Sequence, residues 1–272
     1  MKIVTTFPRR SEYEKMAASL THHGIPFEEI DAGIAYGRVG VAAIILDAEA
    51  RSQLAAADGS SFLCAGWVDH HGPSTAIPAG QPPSFVEDLF GDAVVMVLAP
   101  CTADPKKIRV IAHTTKDMSP AFPYLNATMR EGCYNPDGPL FTFMDGYRMI
   151  TLYPQRIAAA KADDIVDAWR MLEKIRRRVN EVYADRASLQ PSYETRKKPP
   201  ALEIYRRLPG TNCRECGEKT CMAFALQLWN GNQKPESCAP LFSGEHQHLR
   251  SAFIEICAGL GFLDLDAREE NV

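Results

Sequence analysis

The sequence predicts an α/β or α+β fold, with a mixed-sheet N-terminal domain followed by a small cysteine-bearing module. Short apolar runs of strand length alternate with helical patterns in the first half of the chain. A long amphipathic helix follows them, and a group of cysteines lies in the last quarter of the chain. At 272 residues, the chain is long enough to bury a core and to divide into more than one domain.

The N-terminal segment predicts alternating strands and helices. KIVTTF (2–7) predicts a strand, and SEYEKMAASLTHHG (11–24) has apolar residues at helical spacing, with Ser11 as the N-cap and Gly24 as the stop. Further runs of strand length are PFEEID, VGVAAIILD, SFLCAGWV, AVVMVLAP and KIRVIAHTT, and AEARSQLAAADG predicts a short helix.

A hairpin and a long helix are predicted next. The β-rich runs of LFTFMDGYRMITLY flank Asp145 and Gly146, a pair that favours a tight turn, and RIAAAK predicts another strand. The helix covers residues 163–186, and Asp163 or Asp164 caps it. The apolar residues on one face of this helix are Ile165, Trp169, Leu172, Ile175, Val179 and Val182.

Composition divides the chain into three parts. Residues 1–186 form the predicted α/β domain, whose role the sequence leaves open. Residues 187–200 are polar and basic and contain three prolines, which is typical of a linker. Residues 201–272 form the predicted cysteine module with a C-terminal helix.

Composition and charge narrow the functional classes. The formal net charge of −4 gives no reason to expect a nucleic-acid partner. No apolar run approaches the roughly 20 residues that span a bilayer, and the N-terminus lacks the apolar segment of a signal peptide. We therefore expect a cytoplasmic protein without membrane contact. Disulfides are rare in a reducing compartment, so the eight cysteines favour metal binding or inert burial.

Four cysteines have the spacing of a ligand set. Cys213, Cys216, Cys221 and Cys238 form the pattern C-x2-C-x4-C-x16-C. Structural zinc sites usually present two C-x2-C pairs, whereas three clustered cysteines and a remote fourth are common for an iron–sulfur cluster. We predict a cluster of the [4Fe–4S] type held by these four residues. A zinc site and unrelated thiols are the alternatives that the spacing leaves open.

The residues around the cysteines favour the same interpretation. Gly210 and Gly217 keep the chain out of regular structure, and Thr220 is a suitable N-cap for a helix that starts at Cys221 and ends before Gly231. The positive end of that helix would face an anionic group. The apolar side chains expected to shield the site from water are Met222, Phe224, Leu226 and Trp229, and Pro240 is expected to keep Cys238 in extended chain.

The segment ALEIYRRLPGTNCRECGEKTCMAFALQLWNG…CAPL resembles the [4Fe–4S] domain of the corrinoid iron–sulfur protein large subunit of the acetyl-CoA synthase/CO dehydrogenase complex. A similar cysteine pattern occurs in an iron–sulfur subunit of the bacterial ion-translocating electron-transport complex. The resemblance covers about residues 200–241. It implies four cysteine ligands to one low-potential cluster that passes single electrons to a redox partner protein or a metalloenzyme, for example a corrinoid-type system.

Three functions follow as hypotheses. The first is a soluble iron–sulfur protein that transfers single electrons. The second is an accessory or assembly protein for a metallocofactor enzyme, and the third is a zinc-stabilised interaction module. The sequence has no G-x-G-x-x-G after a strand, no P-loop and no nucleophile elbow. It decides neither whether the protein is an enzyme nor its oligomeric state.

Other candidate residues have simpler expected roles. Cys64, Cys101 and Cys257 lie in or beside apolar segments and are expected to be buried and inert. Cys133 lies in a turn-rich stretch and is the one additional candidate for a reactive thiol. The adjacent His70 and His71 are expected in a polar turn rather than at a metal.

A basic stretch extends from residue 170 to residue 200. It contains nine Lys and Arg residues against four acidic residues. A solvated helix face is the simpler expectation. The alternative is a docking patch for an acidic electron-transfer partner, because complementary charge speeds transient encounters.

Overall fold

The structure, a computed structural model, describes residues 1–57, 62–72, 75–102, 104–129, 131–196, 199–243 and 245–260. Its strands are β1 (Lys2–Thr6), β2 (Glu28–Asp31), β3 (Ala42–Asp47), β4 (Val68–Asp69), β5 (Ala93–Pro100), β6 (Ile108–Thr114), β7 (Cys133–Asn135), β8 (Leu140–Asp145), β9 (Arg148–Tyr153) and β10 (Arg156–Ala162). Its helices are α1 (Arg10–His22), α2 (Gly33–Tyr36), α3 (Ala48–Ala57), α4 (Phe122–Thr128), α5 (Ile165–Ala184), α6 (Ala201–Tyr205), α7 (Cys221–Trp229), α8 (Ala239–Phe242) and α9 (Arg250–Gly259). None of the helices in these ranges combines the length and apolar character needed to cross a membrane.

The predicted combination of helices and sheets is confirmed. Within it, the strand pairs β1–β3, β2–β3 and β5–β6 are antiparallel, whereas a mixed sheet was expected. Short connections join β2 to β3 and β5 to β6, and such connections suit antiparallel pairs because a parallel pair needs a long crossover. The fold therefore follows the α+β form of the prediction.

The chain forms two compact units. The N-terminal unit contains Met1–Tyr124 and Leu152–Gln190, and the cysteine unit contains Leu125–Thr151 and Pro191–Val272. The sequence pattern places residues 125–151 in the N-terminal domain, but their contacts group them with the cysteine segment. The predicted boundaries at 186 and 200, as limits of separately folding domains, stay a prediction.

One sheet of the N-terminal unit has the strand order β2-β3-β1-β4. Ile44 and Leu46 of β3 contribute to a core under two helices. Helix α1 buries Met16 and Leu20 in this core, and α3 buries Ala50 and Leu54. Residues four apart share one face of a helix, which explains how each helix covers the sheet with a single apolar stripe.

Strands β5, β6 and β10 lie side by side in the N-terminal unit, and α5 belongs to the same unit. The N-cap of α5 is Asp164, whose carboxylate accepts a hydrogen bond from the Asp167 N–H. All six apolar residues that the sequence placed on one face of this helix are buried. The hydrophobic period therefore predicted both the helix and its packed face.

Asp88 is the centre of a polar network in the N-terminal unit. Its Oδ1 accepts hydrogen bonds from the Phe90 and Gly91 N–H groups and from Asn180 Nδ2. Its Oδ2 accepts one from Arg38 at 3.2 Å. Burial acts to raise the pKa of Asp88, but these hydrogen bonds and the Arg38 charge outweigh it, so the pKa lies below its ordinary value of 3.8. The network ties the irregular segment before β5 to α5.

We expect Asp88→Asn to lower the free energy of unfolding by about 1–3 kcal/mol at neutral pH, because the amide keeps one acceptor oxygen but loses the negative charge and the second oxygen that accepts from Arg38. Because the pKa of Asp88 is lower in the folded than in the unfolded protein, the ionised carboxylate stabilises the fold at pH values above 3.8. This stabilisation is lost as the pH falls through the pKa of the folded protein. Urea unfolding of both proteins from pH 7 downward should show the difference narrowing only at acid pH. A difference that is constant with pH would contradict an ionic role for Asp88.

The cysteine unit contains a second core. Its buried side chains include Ile204 of α6, Phe224 and Leu228 of α7, and Phe253 of α9. Strand β7 pairs antiparallel with β8, and Gly146, at φ 58°, lies in the turn that leads from β8 to β9. Strands β8 and β9 are hydrogen-bonded neighbours in the sheet, so the predicted hairpin turn is confirmed. Gly adopts the left-handed conformation of this turn at little cost.

Residues 192, 194, 196 and 199 of the segment predicted as a linker form hydrogen bonds within the cysteine unit. Asn126 Nδ2 donates hydrogen bonds to the carbonyl oxygens of Ser192 and Glu194, each at 2.9 Å. Arg196 donates to the Met129 carbonyl at 2.8 Å, and Trp229 Nε1 donates to the Pro199 carbonyl at 2.8 Å. These hydrogen bonds connect the described residues of the predicted linker to Asn126, Met129 and Trp229, which are distant in sequence.

Two local predictions need correction. Helix α1 begins at Arg10 after an Arg9 N-cap without a side-chain hydrogen bond, so Ser11 lies inside the helix. The run SFLCAGWV is not a strand in its described part, residues 62–67, and only Val68 continues into β4. Gly66, at φ 126°, passes so close to β5 that a Cβ atom there would lie 2.3 Å from the Leu98 oxygen, which explains the irregular backbone.

Candidate functional site

The four cysteines of the predicted ligand set line one pocket of the cysteine unit. The other residues that line it are Pro209, Thr211, Asn212, Arg214, Glu218, Thr220, Phe224 and Pro240. Cys221 and Cys238 are buried, Cys216 is half-buried and Cys213 is exposed. The fold therefore brings together a remote cysteine and three clustered ones, with the open side of the pocket at Cys213.

The loop that carries Cys213 and Cys216 turns repeatedly through left-handed backbone conformations. Gly210 has φ 72°, Asn212 has φ 52°, Arg214 has φ 67° and Gly217 has φ 84°. Such turns direct successive backbone N–H groups towards the concave side of a loop, where they favour anionic groups. The two glycines adopt this conformation freely, whereas Arg214 adopts it against the preference of its side chain.

The third cysteine begins helix α7. Thr220 is the N-cap, and its hydroxyl accepts a hydrogen bond from the Ala223 N–H at 3.1 Å. Cys221 is therefore the first residue of the helix, where the positive end of the helix dipole lies. The predicted cap and helix start are confirmed.

Two hydrogen bonds join Asn212 to Cys221. The Cys221 N–H donates to Asn212 Oδ1 at 2.8 Å, and the Asn212 N–H donates to Cys221 Sγ at 3.4 Å. These two hydrogen bonds fix the start of α7 relative to the cysteine loop. The sequence interpretation missed Asn212; the signal available was an Asn directly before a Cys in a glycine-containing loop, because Asn tolerates left-handed backbone.

Gln233 holds the cysteine loop from the other side. Its Nε2 donates to the Cys216 carbonyl and to Glu218 Oε1, each at 3.2 Å. Sequence reasoning missed this residue as well, since nothing in its local pattern distinguishes it from an exposed Gln after a helix. The contact is created by the chain reversal after α7, where Gly231 adopts φ 69°.

The remote cysteine lies between two short helical segments. Cys238 follows the 3-10 turn Pro235–Ser237 and directly precedes α8, so it is not in the extended chain that was expected. Burial raises the pKa of Cys238 to about 11, and the nearby thiols of Cys221, Cys216 and Cys213 act in the same direction. A metal ligated here must displace the thiol proton, which links metal binding to proton release.

The apolar wall is smaller than predicted. Phe224 is 1% exposed and lines the pocket, whereas Leu226 of the same helix is 48% exposed. Trp229 is half-buried and is held through its indole N–H by the Pro199 carbonyl. Four thiols, the Asn212 N–H that donates to Cys221 Sγ and a buried aromatic side chain are components that suit an iron–sulfur cluster.

Comparison with known proteins agrees with this chemistry. Residues 208–240 match the protein family described as "Putative Fe-S cluster". The segment that carries the four cysteines is therefore similar to an iron–sulfur cluster domain. Together with the relatives described next, this match confirms the resemblance to the cluster domain of the corrinoid iron–sulfur protein for this segment alone.

The cysteine segment is similar to segments of much longer proteins. It is 60% identical over 40 residues to the acetyl-CoA decarbonylase/synthase complex subunit gamma 2 of Methanosarcina thermophila, a match that covers 15% of this chain and 8% of that protein. It is 43% identical over 51 residues to the corrinoid/iron-sulfur protein large subunit of Moorella thermoacetica, which covers 19% of this chain and 11% of that protein.

The match to these relatives is confined to the domain. The chain spans only 8% to 11% of the length of the two curated relatives described above. A comparison with solved structures finds no match. The N-terminal unit therefore receives no assignment from the comparisons.

The remaining cysteines have different surroundings. Cys101 and Cys257 are buried as expected, and burial raises the pKa of the Cys257 thiol to about 12. Cys64 is half-buried against the core of the N-terminal unit. Cys133 is half-buried in β7, opposite Thr142 of β8, so it lies in a strand rather than in a free loop. Its reactivity stays a prediction.

The two histidines lie directly after β4. His70 is half-buried, and burial lowers its pKa, whereas His71 is exposed. In the parts of the chain that the structure describes, no three Cys, His, Asp or Glu side chains converge in the geometry of a single bound metal ion. The four cysteines, which surround the pocket, are likewise not arranged around a single ion position.

Several cations of the predicted basic stretch are already engaged. Arg176 is fully buried, and its guanidinium donates to Glu173 and to the Pro83 carbonyl. Arg186 forms an ion pair with Glu87 at 2.6 Å. These residues stabilise the N-terminal unit, and the docking patch for an acidic partner stays a prediction.

Proposed function

We propose that the cysteine unit holds one [4Fe–4S] cluster through Cys213, Cys216, Cys221 and Cys238 and that the protein transfers single electrons to a partner protein. The observation that carries the proposal is the single pocket that these four thiols line. A cuboidal cluster needs four thiolates that converge from different directions. When bound, the cluster would supply a one-electron redox couple, and the protein would supply its ligands, its burial and its orientation.

The unequal burial of the thiols supports a direction for electron transfer. Cys221 and Cys238 are buried, and Phe224 covers that side of the pocket. Cys213 is exposed, so a partner that docks over the loop approaches the site from the Cys213 side. A short path between redox centres requires such an open edge, whereas the buried side excludes water and raises the sensitivity of the potential to hydrogen bonds.

The names of the relatives support a protein partner. Both matched proteins named above are subunits, one of an acetyl-CoA decarbonylase/synthase complex and one a large subunit of a corrinoid/iron-sulfur protein. We propose by analogy that this chain also works with a metalloenzyme or a corrinoid-type system. Since the match covers only the domain, the N-terminal unit is proposed to select the partner.

A stopped-flow experiment tests electron transfer. Protein purified without oxygen is reduced with dithionite, freed of excess reductant and mixed with an oxidised ferredoxin. We expect the absorption to change in a single phase whose rate rises with ferredoxin concentration, because one electron leaves the reduced cluster and enters the acceptor. The change is followed at a wavelength where the oxidised-minus-reduced spectra of the two proteins differ. The matched control is the same protein after removal of iron by a chelator, which should show no such phase.

Two results would contradict the electron-transfer role. One is a cluster that dithionite does not reduce. The other is a reduced cluster that reoxidises only with oxygen and never with protein acceptors. Either result would leave a structural cluster and would favour the accessory or assembly hypothesis over electron transfer.

A further inference from the structure

Asn212 and Cys221 form a reciprocal pair of hydrogen bonds in the site. Each residue donates one backbone N–H, and the acceptors are Asn212 Oδ1 and Cys221 Sγ. The Thr220 cap already binds the Ala223 N–H, so it leaves the Cys221 N–H to another acceptor. Asn212 supplies this acceptor through its side chain and directs its own backbone N–H at the sulfur.

The backbone of Asn212 explains why this residue type is needed. Its φ of 52° is left-handed, a conformation that Asn adopts more readily than other side-chain-bearing residues. Alanine would lose the side-chain acceptor and would also disfavour this conformation. Glycine would keep the conformation and lose only the acceptor, and Asp would keep an acceptor of the same shape.

We propose that Asn212 is a positioning residue that fixes the Cys221 thiolate and keeps one N–H···S hydrogen bond on it. This inference rests on the proposed function, because it assigns a role at the same cluster. A hydrogen bond to a ligating sulfur stabilises negative charge there, so it raises the reduction potential and strengthens retention of the metal. Loss of the side-chain anchor frees the backbone of residue 212 and weakens that hydrogen bond.

The test compares Asn212→Ala, Asn212→Gly and Asn212→Asp with the wild-type protein, each purified without oxygen. Asn135→Gly is the matched control, because Asn135 Oδ1 also accepts a backbone N–H, that of Asp137, in the same unit but away from the residues that line the pocket. The measurements are iron release to a chelator, the midpoint potential by EPR-monitored titration, and the Fe–S(Cys) stretching bands in the resonance Raman spectrum. None of these requires an activity assay.

We expect the Ala and Gly variants to bind the cluster about 10- to 100-fold less tightly, the typical cost of removing a partner of a metal ligand. Their potentials should become more negative, and one Fe–S(Cys) band should shift. Asn212→Asp should restore retention while its added negative charge also lowers the potential. Asn135→Gly should retain the cluster like the wild-type protein.

The glycine variant decides the proposal. If Asn212→Gly matches the wild-type protein in retention, potential and Raman bands, Asn212 serves only the backbone conformation and the proposal is wrong. A colourless wild-type protein would instead overturn the proposed cluster itself. The two failures are therefore distinguishable in the same set of samples.

Discussion

Replacement of Cys216 by Ser is expected to prevent the protein from holding most of the iron, and with it the brown colour, that the proposed cluster would give. Cys216 is half-buried at the pocket, and its carbonyl is held by Gln233, so serine should take the same place with little change of fold. A hydroxyl is a far poorer ligand for iron than a thiolate, so the cluster should lose one of four attachments. The measurement is iron and acid-labile sulfide per chain after purification without oxygen, together with the visible spectrum.

The matched control for this substitution is Cys133→Ser. Cys133 is also half-buried and belongs to the same unit, but it does not line the pocket. Its replacement should leave iron, sulfide and colour unchanged. If Cys216→Ser retains the wild-type spectrum and iron content, Cys216 is not a ligand.

Replacement of Phe224 by Ala is expected to affect both stability and the cluster. Phe224 is 1% exposed and belongs to the core of the cysteine unit while it also lines the pocket. Loss of a buried aromatic ring typically costs about 3–5 kcal/mol. The cavity would also admit water and oxygen beside the buried thiols, so loss of the visible absorption in air should be faster. Denaturant unfolding and the bleaching rate in air measure the two effects.

Leu226→Ala provides the comparison within the same helix. Leu226 is 48% exposed, so its truncation should change the free energy of unfolding by no more than about 0.5 kcal/mol. The bleaching rate in air should match that of the wild-type protein. Equal effects of the two substitutions would contradict the assignment of Phe224 as the wall of the pocket.

Periodic patterns predicted the regular elements well. The period of α5 and its Asp164 cap are local features, as are the Asp145-Gly146 hairpin signal and the Thr220 cap before α7. The run at SFLCAGWV shows the limit of such patterns. Its apolar residues indicate burial, but the backbone conformation there depends on the approach of Gly66 to Leu98, which no local pattern encodes.

The candidate site likewise has features that the local sequence predicts and features that depend on tertiary contacts. Spacing identified the four cysteines, which the fold then gathers at one pocket. Two other features depend on chain segments that meet only after folding. They are the hydrogen bond from Gln233 to the cysteine loop and the hydrogen bonds from Asn126 to the predicted linker. The polar composition of residues 187–200 predicts a linker, and it gives no sign of the tertiary hydrogen bonds that Asn126 and Arg196 form there.

Quantitative analysis of iron and acid-labile sulfide in the wild-type protein, purified and reconstituted without oxygen, tests the central claim most directly. If the four cysteines hold one [4Fe–4S] cluster, the protein should contain about four iron atoms and about four sulfide ions per chain. It should also give an EPR signal after dithionite reduction. Colourless protein that contains one zinc ion and no sulfide would contradict the presence of the cluster.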